Sequence, residues 1–405
     1  MIFAEGSLAD TSLIALCEDY RYNNTENITK QSLHERFNEH AVAFLKLLME
    51  NVLARQINSN NFKDLLPRQK AIKVKDSTSF QLPEHLKDIF TGSGGKTSDA
   101  CVKIQFEYDL KSGNVTDLSI GGFTTTDLTN SHNTQNDVQA NDLLIRDLGY
   151  IGLSFLNIIQ KKEAFFLNRI KSNVSIWIKN EEGMFEPLPL ARIEKQMRKR
   201  KIATRQVDVY LGLEKNVECR LIIECLPPQA SEQKLRRAKR EAQREGRTLG
   251  NDTLSRIGLN LFVTNLSDED LPMKNVWPLY RLRWQIELVF KVFKSVAQID
   301  KIKKVNCYRF ECYLFGKLLW ALLGWNVYWK LNYYASAMDK TISINKMMKS
   351  FRRLCKLIAS RNNSAIKQNI DVLEIFIANV TQNCLLEKRK GKISSMKIIE
   401  ELCHI

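Results

Sequence analysis

Tyr280 to Lys294 reads YRLRWQIELVFKVFK, a run in which a tyrosine, an arginine, one glutamate and a lysine stand among large apolar side chains. At about 100° per residue, Leu282, Ile286, Val289 and Phe293 collect on one arc, whereas Tyr280, Arg283, Glu287 and Lys294 fall within about 60° of one another on a different arc. The segment is therefore expected to be a helix with a packing face and a separate polar stripe, and Glu287 belongs to the stripe. An i,i+4 ion pair between Arg283 and Glu287 accounts for two of these residues. It leaves the tyrosine and the lysine on the same side without a role.

The rest of the chain supplies context for that stripe. Its 405 residues are ample for a large core and suggest two or three domains. Lys and Arg number 61 against 45 Asp and Glu, a formal charge of +16 that concentrates polyanions near the surface. Nucleic acid is the leading partner on this ground, an anionic membrane the next, and a merely basic protein the bland alternative. Nine irregularly spaced cysteines form neither a disulfide framework nor a zinc pattern, which points to a reducing cytoplasm. The opening MIFAEGSLADTSL lacks the basic and apolar regions of a secretory signal. YLFGKLLWALLGWNVYW, from Tyr313 to Trp329, is interrupted by Lys317 and falls short of the ~20 residues a membrane helix needs, so a buried helix is expected and no membrane partner.

Periodicity divides the chain. Residues 1–65 read as a helical module, with Thr29 placed to cap the helix in KQSLHERF. AIKVKDSTSF, from Ala71, alternates as a strand that ends near Asp76; ACVKIQFEYDL and GNVTDLSIGG form a hairpin turned at Lys111–Gly113, where Asp109 and Asp117 serve the turn. The glycine-rich TGSGGKTSD between them lacks Walker spacing. A helix is expected over about 136–144, then a short apolar step, Asp147 in RDLGY, a helix through Gln160, and the strand AFFLNRIKS. Asp137 and Asp142 are set aside, because Asp142 lies in the expected helix and neither abuts a strand end. This order argues an α/β layer over 66–171. A β-rich basic insertion follows over 172–255, the layer resumes over 256–304, and 305–405 is helical, with Trp320, Trp325 and Trp329 in its core.

Within the insertion, Lys234 to Arg247 holds seven basic and two acidic residues in fourteen positions, more charge than i,i+4 pairing consumes. Arg236, Arg237, Lys239 and Arg240 there, with Arg198, Lys199 and Arg200 in EKQMRKRKIATR, are candidates for phosphate contact without base specificity. Asp76 and Asp147 follow strands at positions where α/β sheets present ligands. With Glu287 they make three carboxylates, a set able to hold two divalent cations that activate a water or 3′-hydroxyl and stabilise a leaving oxygen.

YRLRWQIELVFKVFK matches the Y-x2-R-x3-E-x6-K signature of the DDE transposases of bacterial insertion sequences, in the branch called family four, which this chain resembles from about residue 10 to 330. KVKDSTSF resembles that family's first-aspartate strand, and DLGY with FFLNRIKS its second-aspartate segment and the strand after it. The resemblance implies an RNase H-like catalytic core, a metal-binding triad of Asp76, Asp147 and Glu287, and two Mg²⁺ ions for which Mn²⁺ substitutes. It further implies that Tyr280, Arg283 and Lys294 hold DNA-end phosphates. The implied partners are duplex DNA, as terminal inverted repeats and target, and a second copy in the DNA complex. A nuclease of the same fold without strand transfer, and a non-catalytic DNA-binding protein, are the alternatives. IGGFTTTD is less polar than the family's usual segment, and no tryptophan occurs between Trp177 and Trp277, where some relatives stack a flipped base.

Overall fold

The computed structural model describes residues 8–23, 27–56, 62–94, 98–171, 173–360, 366–387 and 395–404. The first seven residues of the opening stretch and 95–97 of the glycine-rich loop lie outside the described residues. In chain order the main elements are α1 (Leu13–Asn23), α2 (Lys30–Glu35), α3 (Glu39–Ala54), β1 (Ala71–Gln81), β2 (Cys101–Asp109), β3 (Val115–Gly122), α4 (Asp127–Asn133), β4 (Asp142–Arg146), α5 (Leu153–Lys161) and β5 (Phe165–Arg169). Then come β6 (Ile176–Lys179), β7 (Phe185–Pro187), α6 (Leu190–Lys199), β8 (Thr204–Leu211), β9 (Val217–Cys225), α7 (Pro228–Arg244), α8 (Asn251–Ile257), β10 (Leu259–Thr264), α9 (Met273–Arg281), α10 (Gln285–Ser295), α11 (Cys307–Ser336), α12 (Ile344–Ser360) and α13 (Ile366–Asn383).

The chain forms two compact units, one of Met1–Asn61, Ser77–Thr125 and Trp284–Lys397, the other of Phe62–Asp76, Thr126–Arg283 and Ile398–Ile405. In the second unit the first half of β1 pairs parallel with β4, and β4 parallel with β5. β10 follows, antiparallel to β5 and to β9, and β8, β6 and β7 continue outward in that order. The strands of the basic insertion thus extend the same sheet beyond β10. One core, including Leu144, Phe155, Phe166, Met197, Leu221 and Val263, lies beneath α5 and α6. The first unit holds the β2–β3 hairpin with the second half of β1, in the order β3-β2-β1, together with the terminal helices. The result is a mixed α/β core with a central multi-stranded sheet and helical N- and C-terminal regions, an RNase H-like fold with insertions. Among the described residues no helix is long and apolar enough to cross a membrane.

Local chemistry explains several of these elements. Thr29 caps α2 by accepting from the Ser32 amide. Asp109 closes the hairpin by accepting from the Lys111 and Ser112 amides and the Ser112 hydroxyl, and Gly113 takes the left-handed φ of +77° that the turn requires. The Gly113 carbonyl accepts from Trp325 Nε1, and Trp320, Trp325 and Trp329 are all buried.

Three expectations are corrected. Residues 136–144 are not a helix: the chain makes a 3₁₀ turn at Gln135–Asp137, turns at Asn141 with φ +64°, and starts β4 at Asp142. Asp142 therefore opens a buried strand, where its carboxylate meets Lys73 at 2.6 Å. Asp76 does not follow its strand either. β1 runs on to Gln81, and what ends at Lys75 is its ladder with β4, whose own last residue is Arg146. Finally, Tyr280 to Lys294 is not one helix. A 3₁₀ turn at Leu282–Trp284 separates α9 from α10, and 3₁₀ geometry advances each residue by about 120° rather than 100°. Tyr280 and Arg283 are thereby turned inward, at 2 % and 6 % exposure, whereas Glu287 is exposed.

The loop from β10 to α9 is fixed by one buried side chain. The Arg220 guanidinium donates to the carbonyls of Leu266, Ser267 and Leu271, to Gln206 Oε1 and to Asp268. Arg220→Ala orphans three carbonyls at once, two of these bonds being buried, and is expected to cost about 3 kcal/mol. Urea unfolding that shows no loss would refute this role.

Candidate active site

The second unit brings together Asp76, Asp147, Tyr280 and Arg283. The two aspartates stand one residue beyond the last paired positions of neighbouring parallel strands, Lys75 on β1 and Arg146 on β4. The backbone at Asp147 is held from both sides: the Arg146 amide donates to Asn168 Oδ1, and the Tyr150 amide to the Asp147 carbonyl. An aspartate at the start of a helical turn usually spends its carboxylate on a free backbone amide. Asp147 makes no such bond in the 3₁₀ turn Leu148–Tyr150, and its side chain is 45 % exposed. Gly149 explains the glycine of RDLGY, because a Cβ there would stand 2.7 Å from Asp127 Oδ2.

Arg283 joins the two carboxylates. Its Nη1 lies 2.5 Å from Asp76 Oδ2 and its Nη2 3.8 Å from Asp147 Oδ1. The guanidinium stands 5.9 Å from the centre of the Tyr280 ring, which packs in turn on Phe262 of β10 at 5.1 Å. Burial opposes the Arg283 charge, but Asp76 and Asp147 outweigh it and hold its pKa above the ordinary value. Burial pushes the Tyr280 phenol up to about 12, against the pull of the Arg283 cation. Tyr280 Oη is buried, with the Arg283 guanidinium beside it.

The other expected residues are distributed as follows. Glu287 is an exposed residue in the first turn of α10, and Lys294, near the end of the same helix, donates to the Ser79 carbonyl at 3.0 Å; both belong to the first unit. Leu282, Ile286, Val289 and Phe293, the expected packing face, are all buried. On α6 and just after it, Arg198 is tied to Glu194 and the Gly258 carbonyl, while Lys199 and Arg200 are exposed. On α7, Arg236 pairs with Glu232 at 3.6 Å, and Arg237, Lys239 and Arg240 are exposed.

Beside Asp147 lies a cleft of about 450 Å³ that sequence patterning did not reveal. Leu148, Leu259 and Leu261 give it apolar wall, and Arg169, Lys171, Lys234 and Arg256 give it positive charge. Register places Arg169 of β5 one step beyond the Arg146–Asn168 pair, level with Asp147. Burial, reinforced by the Arg169 charge, lowers the pKa of Lys234. Lys171 and Arg169 were visible in the R-x-K strand of FFLNRIKS and Lys234 in the basic run that it opens; Arg256, on α8, carried no local signal.

Carboxylate oxygens are the hard donors that Mg²⁺ and Mn²⁺ take, and two of them converge on one compensating cation here, so the pair fits part of a divalent site. Among the described residues no three histidine, cysteine or carboxylate groups gather closely enough to hold a metal ion, so the fit rests on the aspartate pair.

Comparison with known proteins identifies the family. Residues 67–323 match the Transposase DDE domain family. The transposase for insertion sequence element IS231F of Bacillus thuringiensis subsp. israelensis is 32 % identical over 333 residues, covering 78 % of this chain and 69 % of that protein. The transposase for insertion sequence element IS1151 of Clostridium perfringens is 30 % identical over 338 residues, covering 80 % and 71 %. The matched region includes Asp76, Asp147, Arg283 and Glu287, and on the family and relative matches the chain belongs to the DDE transposase family of insertion sequence elements.

Proposed function

We propose that the protein cuts DNA at the ends of an insertion sequence and joins the freed 3′-hydroxyls to target DNA. Asp76, Asp147 and Glu287 are the ligands of two divalent cations in this reading, Mg²⁺ with Mn²⁺ as substitute. The observation that carries it is the convergence of Asp76 and Asp147 on one guanidinium, each one residue beyond the last paired position of two parallel strands. Glu287 enters through the family-four Y-x2-R-x3-E-x6-K signature and is exposed, so its carboxylate is not spent on packing. When bound, the cations would supply an activated water or 3′-hydroxyl and a stabilised leaving oxygen.

The chain's own residues bind and orient the DNA. Asp147, half-exposed, offers its oxygens to the site while the Asn168 and Tyr150 hydrogen bonds keep its backbone from drifting. The basic cleft beside Asp147 is suited to the sugar-phosphate of the strand leaving the cut, with its apolar wall against the sugar. Lys199, Arg200, Arg237, Lys239 and Arg240 on the insertion, 172–255, add phosphate contacts farther out, with Arg198 and Arg236 partly spent on glutamates. Lys294, Tyr280 and Arg283 serve the end phosphates. The helical module 1–65 engages the terminal repeat, 66–171 and 256–304 form the catalytic halves, 305–405 supports them, and two copies act together on paired ends.

The test is a reaction of the protein with Mg²⁺, a duplex bearing its terminal repeat, and a target plasmid. Joined molecules are expected. Cleaved ends with intact 3′-hydroxyls and no joined product would instead identify a nuclease, and no reaction with tight binding a DNA-binding protein. In the same system Lys239→Ala should weaken binding alike on all sequences and reduce the slope of log K against log salt by about 0.9. An unchanged slope would exclude Lys239 from the phosphate path.

A further inference from the structure

The aspartate pair comes with a counter-ion of its own. Two carboxylates just beyond the end of the same strand ladder repel each other unless an opposite charge stands between them. Arg283 is that charge: both of its terminal nitrogens face the pair, its side chain is 8 % exposed, and Nε has no hydrogen-bond partner among the described residues. Its fork reaches Asp76 more closely than Asp147, so the less exposed partner is held tightly and the half-exposed one loosely. A divalent cation bound by both carboxylates needs the same oxygens and brings two further positive charges to them. Guanidinium and cation therefore oppose each other at Asp76, by charge repulsion and by competition for the Oδ2 lone pair that faces Arg283.

We propose that Arg283 competes with the divalent cation for the aspartate pair and lowers the affinity of the free protein for that cation. The proposal rests on the assignment of Asp76 and Asp147 as cation ligands. It gives Arg283 a positioning role: it keeps two repelling carboxylates converged, and it releases Asp76 when a cation arrives. Engagement of the guanidinium by another anion, such as a DNA phosphate, frees the same oxygens, since one fork cannot serve both.

Mn²⁺ binding to the free full-length protein, read from the electron paramagnetic resonance of unbound Mn²⁺, tests this without any turnover. Arg283→Gln removes the charge and is expected to bind Mn²⁺ at least tenfold more tightly than the parent. Adding Asp147→Asn to that variant should remove the gain. Equal or weaker binding by folded Arg283→Gln, with binding still dependent on Asp147, would overturn the competition and leave the ligand assignment standing. Binding indifferent to Asp147 in every background would overturn the ligand assignment and the competition with it. Should Arg283→Gln not fold, Arg283→Lys, which keeps the charge and loses the fork, decides by the same comparison: at least threefold tighter binding supports the proposal, and no gain overturns it.

Discussion

Asp147→Asn is expected to lower cleavage and joining by at least about 10³-fold while DNA binding and folding stay close to those of the parent. Bound divalent cations contribute several kcal/mol of transition-state stabilisation, and each ~1.4 kcal/mol is a factor of ten in rate. An amide of the same shape keeps one oxygen but loses the charge that makes the ligand. Asp147 is the informative position because its side chain is half-exposed and 3.8 Å from Arg283, so folding depends little on it. Asp76→Asn should be equally inactive but also less stable, since the Arg283 guanidinium it pairs with is buried. Glu287→Gln should match Asp147→Asn in activity with no loss of stability, because Glu287 is exposed. Supercoiled and terminal-repeat substrates with Mg²⁺ measure the activity, and a filter-binding or mobility assay the affinity. Cleavage retained by any one of the three would remove that residue from the triad.

Much of the fold was legible because local rules and tertiary packing agree there. The β2–β3 hairpin follows from two alternating runs around Asp109 and Gly113, and the structure fills each role. The apolar arc of α10 was legible for the same reason: Ile286, Val289 and Phe293 recur at helical spacing and all are buried. β4 was not. Its five residues, DLLIR, are too few to show a period, and its first residue is an aspartate whose partner, Lys73, lies far away in sequence. The break between α9 and α10 was hidden because a uniform 100° step suits the spacing of Tyr280, Arg283 and Glu287 well. What decides their directions is the 3₁₀ turn, which lets Arg283 reach Asp76 and Asp147 and leaves Glu287 exposed. The candidate residues could thus be picked out by type and spacing. Which of them neutralise one another could not, because Arg283 and Asp76 lie 207 positions apart in the chain and meet only once it is folded.

Asp142→Ala is expected to destabilise the second unit by about 3–5 kcal/mol, the usual consequence of leaving one member of a buried ion pair without the other. The pair is almost dry: the Lys73 and Asp142 side chains are 10 % and 2 % exposed, and Nζ lies 2.6 Å from Oδ2. The same carboxylate oxygen accepts the Gln139 amide, and the ammonium also donates to the Asp137 carbonyl. Removing the carboxylate therefore strands a buried ammonium on one carbonyl and loosens the turn that leads into β4. Lys73 lies on β1 two register steps from Ala71, the residue paired with Asp142, so the pair clamps the near end of the β1–β4 ladder, just beyond whose far end stand Asp76 and Asp147. Lys73→Met combined with Asp142→Leu should recover most of the loss, since an apolar pair of similar volume carries no uncompensated charge. Urea titration followed by circular dichroism measures both variants. An unchanged midpoint for Asp142→Ala would show that water or a neighbouring group already solvates Lys73, and the clamp would then have no part in aligning the aspartates.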